Sequence, residues 1–134
     1  MPISKRSLLN TLIYIFAVEK TLQHLLTSVF FLVNIPNIGT PDIGSNFQIT
    51  NPIMALLNLI YFIFFVTGIA GKIKSRKWAS SLLIFLAVLD IILEFVFHHF
   101  FYITVSVISS TILTIVLILY QRTADDTTNQ EELA

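Results

Sequence analysis

The sequence predicts an all-α protein, a four-helix transmembrane bundle with both termini on the cytoplasmic side. Three observations predict it. The 134 residues are 55 % hydrophobic and only 12 % charged, with a mean hydropathy of +0.82, against about 25 % charged in an average soluble domain. Four apolar stretches approach the roughly 20 residues that a helix needs to cross the hydrocarbon core. Every Lys and Arg outside those stretches falls in segments that an even number of crossings brings to one side.

The spans are expected at about 8–33, 53–70, 78–97 and 102–120. None alternates polar and apolar residues as a barrel strand does. The first is too long for a secretory signal, carries charges inside and lacks a small-residue cleavage site. Lys5 and Arg6 precede it, Lys72, Lys74, Arg76 and Lys77 fill the link between spans two and three, and Arg122 follows span four. Residues 34–52 and the turn at 98–101 hold no Lys or Arg, so the positive-inside rule puts them outside. Pro36, Gly39, Pro41, Gly44 and Pro52 break up the outer loop, and Asn51-Pro52 is placed to start helix two, since Pro suits a first helical turn. Residues 1–122 thus read as one membrane domain. The tail 123–134 is polar and acidic, without apolar periodicity, and is expected to be disordered. The net charge is zero and there is no cysteine, which gives no sign of a nucleic-acid partner and removes disulfides and thiol ligands.

Polar residues inside the spans carry the functional argument. Helix one holds Glu19, Lys20, Gln23, His24, Thr27 and Ser28; helix three holds Asp90 and Glu94, with His98 and His99 at its outer end. A charge at mid-bilayer costs about 2.5–3.5 kcal/mol even on the lenient insertion scale, so these side chains should face the bundle interior and meet there. At about 100° per residue, Glu19, Gln23 and Thr27 form one stripe and Lys20, His24 and Ser28 a second beside it. Together they make one broad polar face. Asp90, Glu94 and His98 form a single stripe on helix three. If the spans begin at similar depths, Glu19 and Asp90 share a level, and Glu94 stands level with Gln23 and His24. Asn58 and Tyr61 on helix two, and Ser106, Ser110 and Thr114 on helix four, are the further polar groups within reach.

Each feature also has a plain structural reading. Lys20 with Asp90 or Glu94 makes a buried ion pair that fixes packing. Three acids against one lysine nevertheless leave a surplus, which requires a protonated carboxyl, a His partner or a bound cation. Hydroxyls on helix four serve interhelical packing more often than a ligand path. His24, Asp90, Glu94 and His98 are ligand types that a divalent metal accepts. The Glu-x-x-His signature of di-iron bundles is absent, however: Glu94 to His98 is i+4 and Glu19 to His24 is i+5. No cofactor is evident. No nucleophile elbow and no Gly-rich phosphate loop occurs, so the residues make no positive case for an enzyme. The basic link beside Trp78 is most simply a topology determinant and interfacial anchor, with generic anionic-lipid contact.

The combination Glu19-Lys20-x-x-Gln23-His24-x-x-Thr27, Asp42-Ile43 and Asp90-Ile91-x-x-Glu94-Phe95, with Thr104-Val105-Ser106 opening helix four, resembles a group of small archaeal and bacterial four-helix membrane proteins. The resemblance spans most of residues 8–120. Leu89 and Leu93 stand where that pattern has Phe before the Asp and Gly before the Glu. It implies a four-helix fold in a prokaryotic cell membrane and the same choice of site residues; no activity comes with it. Small multidrug exporters also carry a Glu in a first helix, but their helix-interior glycine pattern is missing here.

The sequence therefore points to a membrane protein that binds or passes a proton, cation or small polar ligand, through Glu19, Lys20, Gln23, His24, Asp90, Glu94 and His98. The alternatives are an accessory subunit of a membrane complex with a structural ion-pair cluster and, least supported, a metal-dependent membrane enzyme. The expected partners are the bilayer and either a second copy or a larger complex, because four short helices enclose little volume.

Overall fold

The structure is a computed structural model. It describes residues 4–33, 51–98 and 104–133, and within them the side chains of 4–33, 52–96 and 104–125. Four helices follow in order: α1 (Lys5–Val33), α2 (Asn51–Ile73), α3 (Lys77–His98) and α4 (Val105–Leu133). All four are long and apolar enough to cross a membrane, and no strand occurs among the described residues. The expected outer loop, including Asp42, and most of the turn before α4 lie outside the described residues.

Local signals set the helix ends. The Ser4 hydroxyl accepts the Ser7 N–H at 3.1 Å, which starts α1 ahead of the expected position 8. The Thr104 hydroxyl accepts the Val107 N–H at 3.2 Å in the same way. Both side chains satisfy an N–H that the first turn leaves open. Pro52 stands in the first turn of α2. At the other end of α2 the Arg76 N–H reaches the Gly71 carbonyl (2.8 Å) and the Ser75 N–H the Lys72 carbonyl (3.0 Å). This is a Schellman closure, with Ser75 at the left-handed position (φ 54°). α4 departs from expectation: it continues through Leu133, over residues expected to be disordered. No Pro or Gly interrupts it, and extending an existing helix needs no new nucleus.

The helices form a ring in which α1 and α3 each pack on α2 and α4 and face one another across the diagonal. A close approach helps α3 seat on α2. A Cβ at Gly68 would stand 2.7 Å from Leu83, and one at Gly71 would stand 2.7 Å from Trp78; small residues bring membrane helices together in this way. Inside the ring lies one apolar core, with Ile13, Ala17, Phe65, Leu83, Leu113 and Leu117 among its members. A smaller group, Phe31, Met54 and Ala55, lies toward the far end. Polar side chains fill the layer between them. The outside is apolar too: Phe85 is 61 % exposed, Leu32 68 % and Val105 76 %. A water-soluble monomer rarely shows such a continuous apolar surface; lipid suits it.

A non-glycine residue in the left-handed region carries about 1–2 kcal/mol of strain. Ser75→Gly is therefore expected to stabilise the α2–α3 turn by about 1 kcal/mol, read as a later midpoint in a denaturant titration of the detergent-solubilised protein. An unchanged or earlier midpoint would contradict the strain.

Candidate functional site

The polar layer is built around Lys20, which has no exposed surface. Its ammonium donates to Asp90 Oδ2 at 2.8 Å, Gln23 Oε1 at 3.0 Å, Ser106 Oγ at 2.7 Å and the Ser106 carbonyl at 2.8 Å. Three N–H groups thus meet four acceptors, contributed by α1, α3 and α4. A buried charge pair is stable only when its remaining hydrogen-bonding capacity is met in this way. Asp90 Oδ2 also accepts the Ser110 hydroxyl at 2.6 Å and, more loosely, that of Ser106 at 3.3 Å. Ser109 closes back on the Ser106 carbonyl at 3.2 Å.

His24 brings in α2. Its Nδ1 lies 2.9 Å from Asn58 Oδ1, while the Asn58 amide donates to the Met54 carbonyl at 2.9 Å. That second bond fixes which end of the Asn58 amide faces the ring, so the network assigns a proton to Nδ1. The imidazole stacks on Tyr61 (centroids 4.8 Å apart) and Phe65 (5.6 Å). Its other nitrogen, Nε2, is buried without a hydrogen-bond partner and faces Asp90 Oδ1 at 3.5 Å. Neutral with its proton on Nδ1, the ring turns a lone pair toward a carboxylate. Protonated, it turns an N–H there. One proton thus decides whether this contact repels or attracts.

The structure brings together Lys20, Gln23, His24 and Asp90 of the residues singled out in the sequence. Glu94 is half-buried on α3. Glu19 is not brought in. It lines a groove on α1 with Ile15, Val18, Leu22, Gln23 and Leu26, and its Oε2 has no hydrogen-bond partner. The reason is angular. The stripe of Lys20, His24 and Ser28 is buried, whereas that of Glu19, Gln23 and Thr27 is only partly so. The broad face expected from both stripes therefore divides: one turns inward and the other lies on its flank. The side chain of His98 lies outside the described residues.

Three contributors were not legible as site members in the sequence. Ser106 and Ser110 read as ordinary helix–helix hydroxyls; their i, i+4 spacing was the signal, and only packing supplies the depth that sets them against Asp90. Nothing in the sequence set Phe65, one turn beyond Tyr61, apart from the other apolar residues of α2. Among the described residues no three His, Asp or Glu side chains are grouped closely enough to hold a metal. The ammonium of Lys20 occupies the position against Asp90 Oδ2 that a cation would otherwise take. Comparison with family models, with curated proteins and with solved structures finds no match to this chain.

Removing one partner of a buried pair leaves the other charge uncompensated, at about 3–5 kcal/mol. Lys20→Met is expected to destabilise the bundle by that order, and Lys20→Met with Asp90→Leu to recover most of the loss. Reversible unfolding in mixed micelles measures both. Equal losses in the single and double variants would show that the pair does not hold the layer.

Proposed function

We propose that this chain is a small multi-pass protein of a prokaryotic cell membrane, related to the four-helix group that it resembles, with both termini cytoplasmic. In this reading its buried Lys20–Asp90–His24 site takes up and passes a proton. The observation that carries the reading is the contact of His24 Nε2 with Asp90 Oδ1. A titratable nitrogen without a hydrogen-bond partner faces a carboxylate, inside an otherwise satisfied network. The two protonation states differ by one unit of charge in a layer that water reaches poorly, and intramembrane groups of this kind serve proton relays. Lys20 acts as the fixed counter-charge of Asp90. A metal or other cation fits less well, since it would have to displace an ammonium that already has all its acceptors.

One observation favours a second reading. The saturation of Lys20 is what a purely structural keystone needs, as in an accessory subunit of a larger complex. The two readings part in proteoliposomes carrying a pH gradient and a proton-sensitive dye. Wild type is expected to move protons above the rate of empty vesicles. His24→Gln should lower that rate at least tenfold while its thermal unfolding stays close to wild type. A wild-type rate equal to that of empty vesicles would leave the keystone reading.

The partner we propose is a second copy of the chain, seated on the groove that holds Glu19. A carboxylate among Ile15, Val18, Leu22 and Leu26 is unfavourable against lipid. The neighbouring Gln23 commits its oxygen to Lys20 and keeps its amide N–H groups for a carboxylate across the interface. Glu19 against the partner's groove, and the reverse, is self-complementary about a two-fold axis. Wild type is expected to cross-link as a dimer in nanodiscs, and Glu19→Leu to shift it at least tenfold toward monomer. A monomeric wild type would contradict the dimer.

A further inference from the structure

The inner ends of all four helices enclose a second polar region, separate from the Lys20 layer. A cleft of about 1120 Å³ opens there, between Arg6 of α1, Lys72 of α2, Arg76 in the turn, Lys77 of α3, and Tyr120 and Asp125 of α4. Four cations thus face one acid. Among the described residues no ion pair joins any of the four cations to Asp125. Lys72 is only 9 % exposed, an unusual position for a cation without a carboxylate partner. Its ammonium lies 3.8 Å from the centroid of the Tyr120 ring, and the Arg6 guanidinium approaches the same ring at 5.6 Å. Two cations therefore lie against one aromatic ring. Asn10, Ser80 and Gln121 add neutral hydrogen-bonding groups to the walls.

We propose that this cleft binds a phosphate group. A tetrahedral dianion or a phosphodiester placed among Arg6, Lys72 and Arg76 would relieve the repulsion between the two cations on Tyr120. It would also accept paired N–H bonds from a guanidinium, the geometry that suits arginine to phosphate. Trp78 stands at the same end, as aromatic residues do at the headgroup level. If the helices span the bilayer, the cleft therefore opens where lipid phosphates lie, and basic pockets between membrane helices take such headgroups. A free phosphorylated anion offers the same chemistry from the aqueous side.

The two sources separate in the full-length protein, purified and delipidated in detergent. Native mass spectrometry with added phosphatidylglycerol or phosphatidylcholine reads the lipid, and calorimetry with inorganic phosphate reads the free anion. Wild type is expected to retain one phosphatidylglycerol at least tenfold over phosphatidylcholine. Lys72→Gln, and separately Arg76→Gln with Lys77→Gln, should bring that ratio near one, while Asp125→Asn should raise it. Micromolar phosphate binding lost in the same variants, without a lipid preference, would assign the cleft to a free anion. A wild type that neither prefers phosphatidylglycerol nor binds phosphate overturns the proposal. So does a preference that survives in both sets of variants. Arg76 and Lys77 are exposed at the rim, so their variant decides the matter even if Lys72→Gln fails to fold.

Discussion

The neutralisation of Lys20 is the constraint on which the rest of the bundle depends. An ammonium buried near the middle of a membrane helix is tolerable only with its charge countered and its N–H groups accepted. One side chain cannot provide that. Lys20 therefore draws a carboxylate from α3, a hydroxyl and a carbonyl from α4 and an amide from its own helix. His24, one turn along, bonds to Asn58 of α2 and turns its other nitrogen toward the same carboxylate. The apolar parts of the helices pack against neighbours as apolar as lipid, which gives them little preference for one register over another. The polar layer gives that preference, because a shift of one residue in any helix would break several bonds at once.

The same layer is uneven in how tightly it holds its one carboxylate. Around Asp90 the two carboxylate oxygens differ. Oδ2 is crowded by an ammonium and two hydroxyls, whereas Oδ1 looks toward a histidine nitrogen at the edge of bonding distance. The crowded side fixes where the carboxylate stands; on the open side its second oxygen faces a ring nitrogen that has no hydrogen-bond partner. Tyr61 and Phe65 hold the imidazole ring flat against that side, so its tautomer and aim follow from packing and from Asn58.

Much of this was legible in the sequence, for particular reasons. Counting from the starts of their spans placed Glu19 level with Asp90, and its neighbour Lys20, expected to pair with Asp90 or Glu94, does meet Asp90. The depth argument works because helix rise is fixed. Glu19 shows where counting stops. Spacing gives the angle between two residues on a helix but not which angle faces the bundle. Depth placed Glu19 beside Asp90, and rotation then took it to the flank of α1. Ser106 and Ser110 were among the groups within reach on α4, but for the same reason spacing could not set them against Asp90 in particular. The length of α4 was misjudged because composition alone says little about a segment that continues an existing helix.

The diagonal placement of α1 and α3 bears on how the chain enters the membrane. α1 carries both Glu19 and Lys20 and is the least apolar of the four spans, yet it is made first. Its counter-charge on α3 is synthesised only after residues 34–50 and the whole of α2. Until Asp90 emerges, Lys20 has no carboxylate from another helix to meet, so α1 gains its full stability in the bilayer only after α3 has arrived. Insertion of this chain is in that sense a joint event, with the first helix waiting on the third.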